Sequence, residues 1–241
     1  MTPGIFVTGT NTGVGKTVAT AAMLRLLGQC GVRAVGLKPV ASGADRPALD
    51  GPLRNADALE LQAASPLSLP YEHVNPFCFE PAIAPHIAAQ EAGETVVLSE
   101  LVEWYRRVTR GADLALVEGA GGWRVPLHPE GFLSDLPESL ELGVILVVGL
   151  TLGCLSHARL TAEAIHAAGR CRILGWIANE TDATFERRDE NLATLARLLG
   201  APPLAEIPRL TASPRSKFGN AIADLSGAHR LRQVLLDARR A

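Results

Sequence analysis

Short apolar runs rich in Val, Ile and Leu recur along the chain, over Ile5–Thr8, Ala34–Pro39, Leu114–Val117, Val144–Gly149 and Ile173–Ala178. Each is continuously apolar rather than alternating, the pattern of strands buried on both faces of a parallel sheet. Between them lie stretches with apolar residues at helical spacing: Thr17–Leu27, Ser99–Thr109, Ser156–Ala168 and Glu186–Leu199. Gly28, Gly111, Gly169 and Gly200 follow these at positions suited to a helix C-terminus. The alternation predicts an α/β fold: a doubly wound, mostly parallel sheet with helices on both faces and right-handed crossovers.

Two stretches break this rhythm. Ala41–Glu94 is rich in Pro, Gly, Ala and Ser, with one helix predicted over Asn55–Ala63 and Asn55 as its cap. It reads as an excursion near the site rather than a second domain, so residues 1–241 are expected to form one domain. Ser213–Gly227 carries little signal and reads as a surface loop, and Arg230–Arg239 predicts a closing amphipathic helix.

Composition narrows the class. Of 241 residues 47% are apolar, enough for a sizeable core. The formal net charge of -2 gives no bulk attraction to nucleic acid or acidic membranes. The N-terminus lacks the pattern of a secretory signal. The longest apolar stretch, Gly143–Leu155, is too short to span a bilayer and is broken by Gly149 and Gly153. Cys30, Cys78, Cys154 and Cys171 lie far apart, with no CxxC pair. Reduced thiols in a cytoplasmic protein are the expectation.

The strongest chemical signal is Gly9-Thr10-Asn11-Thr12-Gly13-Val14-Gly15-Lys16-Thr17. It follows the first predicted strand directly and opens the first predicted helix, the context a phosphate loop requires. Backbone N–H groups around Gly13, Val14 and Gly15 can turn inward on phosphates, helped by the partial positive charge of the helix N-terminus. Lys16 can reach the β- and γ-phosphates of ATP, and the Thr17 hydroxyl can ligate Mg²⁺. The spacing is unusual: Thr10 stands where the motif's first glycine normally falls, and Gly9 comes one residue early. A glycine-rich strand-to-helix turn with a solvated lysine is the plainer alternative.

Ligands of open α/β sheets bind beyond the carboxyl ends of the strands, so the residues that follow each run matter. Lys38 and Ser42 follow the second run, Glu118 and Gly119–Gly122 the third, and Asn179 the fifth. Lys38 can face a phosphoryl group or a carboxylate, or be an ordinary strand-end lysine. Glu118 and Asp57 can hold Mg²⁺, though a carboxylate in the first turn of a helix is also favourable by itself. Asn179 can read an adenine edge with its amide or simply occupy a turn. His86 and His157 show no triad partner and read as structural or loop residues, and Trp123 as packing.

The segments FVTGTNTGVGKTVA, GLKPVASG, LRNADALELQ, VNPFCFEPAIAPHIAAQE, LVEGAGGWRVPL, VILVVGLTLGCLSHARLTAEAI and GWIANE resemble the dethiobiotin synthetase family, in the family's order from Phe6 to about Pro208. The resemblance implies a P-loop fold working as a homodimer with ATP and Mg²⁺. It implies carboxylation of 7,8-diaminononanoate with CO₂ and closure of a ureido ring. It carries Lys16, Lys38, Thr12 and Ser42 over as catalytic groups, and Thr17, Asp57 and Glu118 as Mg²⁺ ligands. Asn179 and Pro208 become nucleotide contacts, and Ser42, Gly153 and Cys154 substrate contacts, the last two across the dimer interface. No nucleic acid or membrane partner is implied. The sequence departs from the family pattern at Thr151, usually Lys or Arg, and at Ser156, usually Asn. Gly13 replaces an acidic residue of some members.

Competing classes make different demands. A regulatory ATPase of the MinD/ParA type carries a signature lysine where Asn11 stands. An amide-forming enzyme of the cobyrinate diamide type usually adds a glutamine amidotransferase domain, for which this chain has no room. A non-catalytic nucleotide-binding module would not need the set of polar residues at the strand ends.

Overall fold

The computed structural model describes residues 1–47, 51–209 and 228–240. The chain runs β1 (Gly4–Gly9), α1 (Lys16–Gln29), β2 (Ala34–Leu37), β3 (Val40–Ala41), α2 (Ala56–Ala64), α3 (Tyr71–Val74) and β4 (Phe77–Cys78). It continues through α4 (Pro85–Glu91), α5 (Leu98–Val108), β5 (Leu114–Glu118), β6 (Pro126–His128), β7 (Gly131–Phe132) and α6 (Asp135–Leu140). β8 (Gly143–Gly149), α7 (Cys154–Ala168), β9 (Arg172–Asn179), α8 (Arg188–Leu199), β10 (Ala205–Ile207) and α9 (Ala228–Ala238) follow.

A six-stranded sheet in the order β10-β9-β8-β1-β5-β2 forms the centre, every pairing parallel. Alternate residues of each strand point to opposite faces. Ile5, Val7, Leu114, Leu116, Ile145 and Val147 meet α1, α2 and α9 on one face. Phe6, Val35, Leu37, Ala115 and Val117 meet α5 and α6 on the other, where Leu146, Val148 and Trp176 also pack with α7 and α8. Both faces are dry, which is why the strands read as unbroken apolar runs.

The predicted strands and main helices are present, with corrections at their edges. The second apolar run ends at Leu37, because the Lys38 N–H leaves the sheet to donate to the Val74 carbonyl at 2.8 Å. Val40–Ala41 pairs instead with β4 in a separate two-stranded sheet. Gly28 lies inside α1; the chain turns over at Gly31, whose φ is +71°. Helix α7 begins at Cys154, ahead of the expected Ser156, and α8 begins at Arg188, later than the expected Glu186. Strand β10 carried no prediction, since three residues give no readable run. The Asn55 side chain accepts from the Asp57 and Ala58 N–H groups, as a cap should. His86 and His157 both lie on helices rather than loops. The Ser213–Gly227 stretch lies outside the described residues. The cysteines are unpaired, and among the described residues no helix is long and apolar enough to cross a membrane.

Candidate active site

The segment between β1 and α1 wraps the helix N-terminus at the carboxyl edge of the sheet. Gly13 and Gly15 have φ of +76° and +88°, a left-handed backbone that favours glycine. Gly9, the displaced glycine, has a packing reason: a Cβ there would lie 2.6 Å from Val14 Cγ2. Thr10 N–H donates to the Val147 carbonyl of β8, fixing where the loop leaves the sheet.

Lys16 and Lys38 are both buried, at 7% and 4% exposure. Lys16 Nζ donates to the carbonyls of Asn11 at 3.0 Å and Gly121 at 2.6 Å. Lys38 Nζ donates to Glu118 Oε1 at 2.6 Å and to the Gly119 carbonyl at 3.1 Å, with Asp57 Oδ2 at 3.6 Å. The two cations differ in environment. Burial, reinforced by the nearby Lys38 charge, lowers the Lys16 ammonium to about 8. Burial alone would lower Lys38 too, but the Glu118 and Asp57 carboxylates outweigh it and hold Lys38 above the usual lysine range.

Glu118, fully buried at the end of β5, joins these parts. Its Oε1 accepts from both Lys38 and the Thr17 hydroxyl, the latter at 3.0 Å, and its Oε2 has no hydrogen-bond partner. Asp57 reaches the same place from the first turn of α2, which Asn55 caps. The Asn55 amide also donates to the Ser42 and Gly43 carbonyls at 3.4 and 3.5 Å, so one residue positions both Asp57 and the Ser42 turn.

The floor under Lys38 is a polar network that the sequence reading missed. Asn75, 3% exposed, donates to the Lys38 carbonyl at 2.7 Å and to the Phe77 carbonyl at 2.9 Å. Its Oδ1 accepts from the Tyr71 hydroxyl, which in turn accepts from the Asn55 N–H. Asn75 lay within VNPF, but an asparagine before proline reads first as a turn. Trp123 packs edge-on against Phe6, with ring centroids 5.9 Å apart.

Thr12, Gly13, Gly15, Lys16, Thr17, Lys38, Ser42, Asp57 and Glu118 all line one cavity of about 760 Å³. Ala82, Ile83, Ala84 and Pro85 form an apolar wall at its side. Gly153, Cys154, Asn179 and Pro208 do not line this cavity. The sheet order explains this, since β8, β9 and β10 lie on the far side of β1 from β5 and β2. Asn179 is tucked beneath the loop, its Nδ2 donating to the Val14 carbonyl at 2.8 Å. Pro208 is exposed just past β10. Arg188 ties these strand ends together by pairing with Glu180 and, at 2.6 Å, with Glu206.

A parallel sheet whose first strand feeds a glycine-rich loop, a buried lysine and a helix N-terminus defines a P-loop nucleotide-binding protein. Solved structures agree on the fold. MinD of Pyrococcus horikoshii, complexed with Mg-ADP, superposes with a TM-score of 0.59 at 19% identity, covering 98% of this chain and 96% of that one. A ParA family ATPase from Chlorobium tepidum gives 0.51 at 14% identity, covering 100% and 98%. The family model described as "AAA domain" matches residues 3–216.

Sequence relatives are more specific. The chain is 52% identical over 209 residues to the ATP-dependent dethiobiotin synthetase BioD of Pseudomonas aeruginosa (strain UCBPP-PA14), covering 86% of this chain and 90% of that one. It is 46% identical over 233 residues to the protein of that name from Cellvibrio japonicus, covering 97% of each. The chain belongs to the dethiobiotin synthetase family.

Proposed function

We propose that this protein is a cytoplasmic, single-domain enzyme that uses ATP to carboxylate and cyclise 7,8-diaminononanoate to dethiobiotin, with ADP and phosphate as products. The observation that carries the reading is the convergence of Lys16, Lys38, Thr17, Ser42, Asp57 and Glu118 on one cavity. One amine of the substrate takes up CO₂ as a carbamate. A carbamate oxygen attacks the γ-phosphorus of ATP, and ADP leaves, giving a carbamic-phosphoric anhydride. The neighbouring amine then attacks the carbonyl carbon, closing the ureido ring and releasing phosphate.

Carbamate and triphosphate are both anions, so the barrier is largely electrostatic. Lys38, held charged by two carboxylates, lines one cavity with Ser42 and Glu118, where the attacking anion and the γ-phosphate would meet. Lys16 exchanges its two backbone carbonyl partners for phosphate oxygens. The Thr12 and Ser42 hydroxyls donate to the carbamate or the phosphoryl group. No side chain is assigned as general base; the amines release their protons to carbamate, phosphate or water.

Thr17, Asp57 and Glu118 would hold Mg²⁺. An all-oxygen donor set suits a hard cation, and the unpartnered, buried Glu118 Oε2 supports the fit. When bound, Mg²⁺ supplies charge neutralisation on the phosphates. Asn179 and Pro208 are assigned to the adenine. Gly153 and Cys154 are assigned to the substrate carboxylate at the N-terminus of α7. They flank the loop on the side away from Lys38, so a second copy of the chain would present them. Leu152 at 97% exposure and Leu160 at 60% support a homodimer contact on this turn and helix.

The test is to incubate the protein with MgATP, labelled bicarbonate and 7,8-diaminononanoate and count acid-stable label. Fixation that requires both ATP and the diamine is expected. ATP hydrolysis indifferent to the diamine, with no label fixed, would overturn the reading.

A further inference from the structure

Asn179 has a geometry that reading a base does not explain. It ends β9 at 6% exposure. Its carbonyl accepts from the Leu150 N–H at 2.8 Å, and the next N–H, of Glu180, donates to the Ile207 carbonyl at 2.9 Å. Its backbone is thus pinned on both sides. Its Nδ2 lies 2.8 Å from the Val14 carbonyl oxygen. That oxygen can only accept, so the amide nitrogen must face it.

The Val14–Gly15 peptide is trans, since no described bond is cis. In a trans peptide the C=O and the N–H point in opposite directions. Tying the Val14 carbonyl to Asn179 therefore turns the Gly15 N–H away from Asn179 and towards the cavity that Gly15 lines. Asn179 packs so closely under the loop that only glycine fits at position 15. A Cβ on it would lie 2.0 Å from Asn179 Nδ2, and its φ is +88°.

We propose that Asn179 is a positioning residue for the phosphate loop, aiming the Gly15 N–H at phosphate whatever base the nucleotide carries. The inference rests on reading Gly9–Thr17 as a phosphate loop. It is compatible with a contact to adenine, because an amide has a second N–H and an oxygen acceptor to spare.

Inorganic tripolyphosphate, which has no base, separates the two roles. Its affinity is measured by calorimetry for the full chain and for Asn179→Ala and Asn179→Leu, the second of which keeps the volume. The expected result is about tenfold weaker tripolyphosphate binding in both variants, the size of one lost hydrogen bond that leaves a buried carbonyl unpaired. ATP and GTP should weaken at least as much, with unchanged stoichiometry. Unchanged tripolyphosphate affinity alongside weakened ATP binding would assign Asn179 to the base alone and overturn the proposal. Loss of stoichiometry in both variants would overturn it by making Asn179 a folding residue. Failure of the unaltered protein to bind tripolyphosphate would reject the phosphate-loop reading itself, and this inference with it.

Discussion

Replacing Lys38 with methionine removes the cation from a buried pair and leaves the Glu118 carboxylate with only the Thr17 hydroxyl as donor. The two side chains are 5% and 0% exposed and 2.6 Å apart. Stranding one partner of such a pair costs about 3 kcal/mol, the low end of the range because the pair borders an open cavity. For a chain of this length that corresponds to a fall in Tm of about 6–12 °C. Glu118→Gln should cost less, about 2 kcal/mol, because Asp57 and the Gly119 carbonyl still face Lys38. In Lys38→Met/Glu118→Gln neither charge is stranded. The double variant should lose about 3 kcal/mol rather than the additive value of about 5, a coupling near 2 kcal/mol. Urea unfolding of the four proteins measures this directly. Turnover should stay depressed by orders of magnitude in all three variants, since the recovered stability does not restore the cation. Strict additivity would refute the coupled pair. Recovery of turnover in the double variant would show that Lys38 serves the fold and not the chemistry.

The depressed Lys16 gives a proton-linkage prediction. Phosphate oxygens favour the charged ammonium, so nucleotide binding near pH 8 should take up a proton, seen as a calorimetric enthalpy that varies with buffer ionisation heat. An enthalpy independent of buffer would contradict it. The same group makes the ligand-free protein gain stability as pH rises from about 8 towards 10.5, because the unfolded chain then binds more protons than the folded one. Lys38, shifted upward, acts in the opposite sense: its contribution is present below 10.5 and is lost above that. Lys16→Ala should abolish turnover while leaving the unfolding transition intact, and normal turnover would remove the phosphate-loop assignment. Thr151→Arg should lower KM for the diamine, with no change in KM for ATP, if the substrate carboxylate docks beside Gly153; an unchanged diamine KM would retire that placement.

The fold class could be read from residue order alone. Unbroken apolar runs are possible only where both faces of a strand are covered, so the parallel sheet and its flanking helices were legible from residue order. The same holds for the phosphate loop and for the strand-end positions of Lys38, Glu118 and Asn179, because parallel strands deliver their carboxyl ends to one edge. Asn55 was legible as a cap because capping is a local event. What escaped was either too short to carry a period, as in β10, or dependent on partners distant in sequence. Nothing local says that Asn75 holds the Lys38 carbonyl, that Glu118 is shared between Lys38 and Thr17, or that Asn179 donates to Val14 across 165 positions of chain. The Glu118 contacts exist because the strand order seats β5 between β1 and β2, and the Asn179 contact because it carries β9 to the other side of β1. Strand order is a property of tertiary packing, which single-residue patterns do not encode.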